Sequence, residues 1–262
     1  MNETMKHFKL RTDLTIKVDG KTLYRIEATK DIEKFGVKVG DLGGYIEKED
    51  NLSGNAWVSG NAWVYDDACV SNNALVSDEA KVYGKAQVSC EANVLEKARV
   101  YGDAYVYGNA CVYGNARVYG SAFVSNNTFV YEDAEVYENA WVYENANVYG
   151  NAKVYGRAEV CDEANVYGDA NVCGNAKVFG IAQVCCDKIE KENDVINITS
   201  NYYSHNITIT PNYIKIGYQY HSKTAWFNFT DNEIMKMYGE EAVNWWKTWK
   251  PILKAICDGL KQ

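Results

Sequence analysis

Histidine is nearly missing from this chain. Its 262 residues hold 3 histidines, and His7, His205 and His221 all fall outside the regular central stretch described below. Proline is as scarce, with 2 residues, Pro211 and Pro251. No run of 18 apolar residues occurs, and the start MNETMKHFKL lacks the apolar core of a signal peptide, so a soluble protein with no membrane contact is expected in the cytoplasm. The sequence has no CxxC pair, phosphate loop, nucleophile elbow or dinucleotide fingerprint. Among the 8 cysteines, Cys161, Cys173 and Cys185 are spaced 12 apart, and Cys185 and Cys186 are adjacent. Neither arrangement suits a disulfide, so reduced thiols are expected. A net charge of −8 disfavours sequence-blind binding to phosphate backbones. Against these absences stand 47% hydrophobic residues, which exclude wholesale disorder, and 21 tyrosines.

What is there is a repeat. From Ala56 to Asp187 the chain is 22 consecutive six-residue units without insertion, reading Ala-x-Val-Tyr-Gly-Asn. The third position is Val in all 22, and the first is Ala in 21, with Thr128 the exception. Ala, x and Val alternate in, out, in, which is the period of a short strand. The Gly, Asn, Asp or Glu pair that follows supplies a turn, because Gly, Asn and Asp tolerate positive φ at low cost. A helix cannot keep a strict period of six, so the pattern predicts a solenoid of stacked parallel strands. Val fills its centre, each residue contributing roughly 1.5–3 kcal/mol.

The pattern resembles the hexapeptide-repeat superfamily, whose fold is all-β, a left-handed parallel β-helix with three units per coil. That resemblance implies the left hand; the general crossover rule favours the right. Three units per coil make seven and a third coils, about 35 Å of rod at a strand spacing of about 4.8 Å. Upstream, residues 23–53 resemble the N-terminal cap of YdcK-like β-solenoid proteins. The match lies in Gly40-Asp41-Leu42-Gly43-Gly44-Tyr45-Ile46-Glu47 and Asn51-Leu52-Ser53. The resemblance implies a phage or prophage setting, and with it a host protein, for example a defence-system component, as target.

The chain divides into a capping segment over 1–50, the solenoid over 51–187 and an α+β segment over 188–262. Residues 1–50 read as short strands and turns that cover an otherwise open solenoid end. In the C-terminal segment, 195–199, 206–210 and 213–218 alternate like strands. Thr230-Asp231-Asn232-Glu233 is a capping box for a helix that stops near Gly239. A second helix starts near Glu240 and carries Ala242, Trp245, Trp246 and Trp249, with Pro251 expected to end or kink it. The tryptophans form either a small core or a partner-binding surface.

Folding the repeat on a period of 18 stacks the x positions into three outer columns. The first runs Trp63, Lys81, Arg99, Arg117, Glu135, Lys153, Asn171 beside an unbroken tyrosine ladder that includes Tyr101 and Tyr119. A basic groove flanked by aromatics is a candidate nucleic-acid face, set against the acidic rod around it. The second column runs Cys69, Gln87, Tyr105, Phe123, Trp141, Glu159, Lys177 and places three large aromatics in succession. The third includes Cys111, Phe129 and Asn147. An exposed apolar stripe marks an interface, with a second copy or a foreign protein. Tyr105, Phe123, Trp141 and Phe129 are therefore the interface candidates.

The superfamily implies enzymes as well. Its acyltransferases use a histidine beside the coil and its carbonic anhydrases three histidines on zinc, commonly with loops thrown out of the coil. This repeat has neither, so no catalytic, cofactor or metal residue is expected. The expected function is non-enzymatic binding of a macromolecule along a lateral face, as a homo-oligomer or with a foreign protein. The alternatives are an acyltransferase-like enzyme with a site at a subunit boundary and a purely structural rod.

Overall fold

A computed structural model of the chain describes residues 6–198 and 206–259. His205, and Thr199 at the end of the first expected C-terminal strand, lie outside the described residues.

The repeat forms a parallel β-solenoid of about 8 turns. Each unit contributes a two-residue strand made of its x and Val positions, from Trp57–Val58 (β4) to Gln183–Val184 (β25). Strands pair in parallel with the strand 18 residues on, as Arg99 with Arg117 and Val100 with Val118. Three sheets therefore run along the rod. Every first-position Ala and third-position Val is buried, at most 1% exposed, and Thr128 is fully buried with its hydroxyl donated to the Ser125 carbonyl.

The corners follow a stricter rule than turn preference. The fifth position of every unit from Gly60 to Gly180 has positive φ, including Glu96, Glu132, Glu138 and Glu144. Glutamate gains no ease from this backbone, so its side chain has another use. Glu96 accepts from the Gly114 amide, Glu132 from Gly150, Glu138 from Gly156 and Glu144 from Asp162, at 2.8–3.1 Å. Asp66, Asp78 and Asp162 do the same for Gly84, Glu96 and Gly180. The corner carboxylates thus cap backbone donors that the sheets leave free. Sixth-position amides form ladders of their own, Asn109 to Asn127 to Asn145 at 3.0 Å.

Parallel pairing runs past 51–187 at both ends. A hairpin of Phe8–Val18 (β1) and Lys21–Ala28 (β2) pairs antiparallel with Leu42–Ile46 (β3), and β3 then pairs in parallel with Trp63–Val64. These strands are longer than the short ones expected, and Asp19-Gly20 at positive φ makes the tight turn between them. The Gly43-Gly44 pair has a steric reason: a Cβ on Gly43 would sit 2.5 Å from Ile26 and the Val58 carbonyl, and one on Gly44 2.6 Å from the Ala62 carbonyl. Asn51 is fully buried, its amide bonded to the Asp66 and Ala68 carbonyls, while Leu52 bridges to Val70. Phe8, Ile26, Ile32 and Val37 join the Val core directly.

At the other end Lys188–Ile189 (β26) completes the last coil. Asn171 pairs with Lys188, 17 residues on, so the corner there is one residue short. Asp187 lands where Ala usually stands, 4% exposed. Beyond it, Ile196–Ile198 (β27), Ile207–Ile209 (β28), Tyr213–Ile216 (β29) and Gln219–Ser222 (β30) form an antiparallel sheet. Helices Lys223–Asn228 (α1), Asp231–Tyr238 (α2) and Glu240–Gly259 (α3) follow. The capping box of α2 forms as expected, with Thr230 at its N-cap and Gly239 at its C-cap. Pro251, by contrast, does not end α3, which runs through it to Gly259. Ala242, Trp246, Leu253 and Cys257 are buried along one stripe on both sides of the proline, and that packing holds the helix together across the lost N–H.

Candidate interaction surface

The outer positions stack as the period of 18 requires. On the first face Lys81, Arg99 and Arg117 stand in register. Lys81 lies over the Trp63 ring at 3.9 Å, and the two arginines have no ion-pair partner among the described residues. Glu135 ends the basic run, holding the Tyr119 hydroxyl at 2.9 Å and Lys153 at 3.6 Å. The ladder beside it runs from Tyr65 to Tyr155 with ring centroids 4.8–5.1 Å apart and planes within 7°. A second ladder, Tyr113 to Tyr167, stands on the third face, and burial pushes its Tyr131 hydroxyl up to about 12, so the phenols are neutral. Tyr101 and Tyr119 each have both ring faces covered by neighbours, which leaves only edges for a partner.

The second face brings Tyr105, Phe123 and Trp141 together. Tyr105 and Phe123 stack at 4.7 Å and 19°, Phe123 and Trp141 at 5.3 Å and 27°. Trp141 is 51% exposed at the end of the stack. Gln87, 3.5 Å from the Tyr105 hydroxyl, and Glu159 rim it. Phe129 is exposed, but it belongs to the third face, paired with Cys111 and Asn147, and is not part of the stripe.

Beside the stripe lies a groove of about 320 Å³ that the x positions alone do not reveal. Its lining includes Tyr107, Phe123, Ser125, Trp141, Tyr143 and Glu159. Tyr107, Ser125 and Tyr143 are successive fourth positions of this face, so a serine stands where the ladders elsewhere carry a ring. Tyr107 meets the Phe123 ring edge-on at 5.8 Å and 86°. The signal is in the sequence: the fourth position, read down the second face as the x position was, shows the missing ring.

The C-terminal tryptophans divide. Trp246 is 2% exposed and packs with Trp226 against the sheet isoleucines, so it is core and not an interaction surface. The same helical stripe that carries Ala242 and Leu253 turns it inward. Trp245 and Trp249 stack at 5.8 Å, half-buried on the flank of that core. The cysteines Cys161, Cys173 and Cys185 stand on three separate faces, as their spacing requires. Glu144, Cys161 and Asp162 lie close together, and the neighbouring Asp162 pushes the Glu144 carboxyl up. Both carboxylates are corner caps.

The family model of the YdcK β-solenoid repeat matches residues 110–126, the coil that carries Phe123 and Ser125. Over that coil the β-solenoid is similar to the YdcK repeat. No curated protein matches the chain. No helix among the described residues is long and apolar enough to cross a membrane. His7 sits in the N-terminal cap with Nε2 2.7 Å from the Ala56 carbonyl, and His221 in β30 packs edge-on against Trp226 and Phe229.

Proposed function

We propose that this solenoid acts without catalysis, as a rigid rod that binds a protein through its second face. The observation that carries the reading is the Tyr105–Phe123–Trp141 stack, a contiguous aromatic surface with a polar rim, which is the anatomy of a specific interface. The partner is a second copy or a foreign protein. In the genomic setting that the resemblance implies, it is a host protein such as a defence-system component, met in the bacterial cytoplasm. Two features support a non-enzymatic role: the coils hold no histidine, and the repeat throws out no loop. The nucleic-acid reading of the Arg99 and Arg117 face is weaker, because stacked tyrosines offer bases no open ring face and the basic run is three residues long.

The test is Phe123→Asp. The variant keeps the circular dichroism of a folded β protein, since Phe123 points outward. It loses self-association in sedimentation, or capture of the partner in a pull-down, by more than about 2 kcal/mol, as a hot-spot change does. Parent-like behaviour in both assays would sink the interface.

A further inference from the structure

We propose that the groove beside the stripe receives a guanidinium group, the side chain of an arginine on the bound protein. The inference deepens the interface reading and rests on it. Tyr107 and Tyr143 stand two coils apart, about 9.6 Å, with Ser125 between them. Elsewhere on the rod that interval holds a tyrosine stacked between its neighbours. Here one planar layer is missing, and Tyr143 has no ring contact among the described residues.

The polar groups at the groove ask for donors and positive charge. Ser125 is 5% exposed, and its hydroxyl has no hydrogen-bond partner among the described residues. That hydroxyl is not sealed off from the groove, so it is free to bond a ligand there. Glu159 lines the same groove and holds only long contacts, the Tyr143 hydroxyl at 3.4 Å and Lys177 at 3.8 Å. Glu144, Asp162 and Glu163 add carboxylates at that end of the face. A neutral phenyl ring would fill the layer but leave Glu159 and Ser125 unanswered. A lysine ammonium would answer the charge but has no plane to stack. Guanidinium is planar, permanently charged, stacks on aromatic faces and carries five N–H donors. It matches the layer, the carboxylate and the hydroxyl together.

The experiment follows the Trp141 indole N–H in protein labelled at tryptophan nitrogen, with the resonance assigned from Trp141→Phe. N-acetyl-arginine amide is titrated in, then its citrulline and lysine counterparts. A saturable shift is expected with the arginine compound, and binding weaker by about tenfold or more with the other two. Ser125→Tyr closes the layer with the residue that fills this position in the ladders of the other two faces, so it abolishes the shift without lowering the melting temperature. Glu159→Gln weakens the shift and leaves the fold unchanged. No saturable shift, equal binding of citrulline or lysine, or a shift that survives in Ser125→Tyr overturns the assignment. Phe123→Asp separates the two readings. If it abolishes partner capture while the parent protein ignores arginine, the interface stands and the guanidinium site falls. If the parent binds arginine but capture survives Phe123→Asp, the groove stands and the stripe is not the interface.

Discussion

Val112 sits between Val94 and Val130 in register and is fully buried, as are all the valines of the stack. A carboxylate there has no partner within the Ala and Val lining, so Val112→Asp is expected to cost several kcal/mol, on the order of 4 or more. Arg117 is exposed and unpaired, and Arg117→Ala should change stability by less than about 1 kcal/mol. Denaturant melts of the two variants compare them directly, and equal stabilities would show that the inside and outside assignments are wrong. His7 tests the N-terminal cap. It is 3% exposed, its Nε2–H donates to the Ala56 carbonyl, and burial lowers its pKa from 6.5, with Lys30 and Lys6 acting in the same direction. Folding therefore favours the neutral ring. Above 6.5 its contribution is fully present. As pH falls below that value the unfolded chain takes up the proton first, and stability drops until the folded pKa is reached. Melting temperatures at about pH 7.5 and about pH 5.5 should differ more for the parent than for His7→Gln, whose amide can donate to the same carbonyl without titrating.

The C-terminal sheet meets the last coil by side chains instead of strand pairing. Thr208 accepts from the Gln183 amide, and Asn197 donates to the Phe179 carbonyl. Asp187 accepts from the Thr210 hydroxyl, the Asn212 amide and side chain, and the Lys188 amide, at 2.7–2.9 Å. These contacts blunt an edge that would otherwise template another strand. The isoleucine and tryptophan core of the segment is separate from the Val core, so the polar latch joins two bodies that are each packed on their own. Asp187→Ala removes the acceptor of all four donors, three of them from the C-terminal sheet segment, and should loosen the joint by about 2–5 kcal/mol. The expected readout is faster hydrogen exchange and proteolysis around the latch, with the mid-rod unchanged; protection equal to the parent's would mean the latch does not hold the segment. Elements with a strict local code were legible in the sequence: the 22 strands, their three columns, and α2 with Thr230 and Gly239. What escaped depends on contacts across distance. Pro251 inside α3 is carried by tertiary packing that outweighs its lost bond. The short helix α1 is marked only by Ser222, which caps Ala225. The one-residue deletion at Asp187 makes sense only beside Thr210 and Asn212. Glutamate at positive φ reads as a misfit until the amide it caps, 18 residues on, is placed next to it.

Along the whole rod each coil touches only its neighbours, so units can be removed without disturbing the core, provided the six-residue register is kept. That property separates the fold from the binding face. Deleting one unit, residues 128–133, keeps Ala and Val in the interior but turns everything after it by one face. Trp141 then no longer follows Phe123, and Tyr143 no longer faces Tyr107 across Ser125. Deleting a full coil, residues 74–91, shortens the rod by about 4.8 Å and leaves the stripe and groove in register. Both variants should fold, with the circular dichroism of the parent and cooperative melts. The unit deletion should weaken partner binding by more than about 2 kcal/mol, roughly thirtyfold, while the coil deletion should bind within a few-fold of the parent. Equal binding by both would mean that the partner does not read the second face. Loss in the coil deletion alone would place it at the N-terminal coils, where Lys34 pairs with Glu91 and Lys48 with Asp67. Only recognition of a surface that spans neighbouring coils on one face gives the asymmetric result, because nothing else in a uniform Val stack distinguishes a shift of six residues from a shift of eighteen.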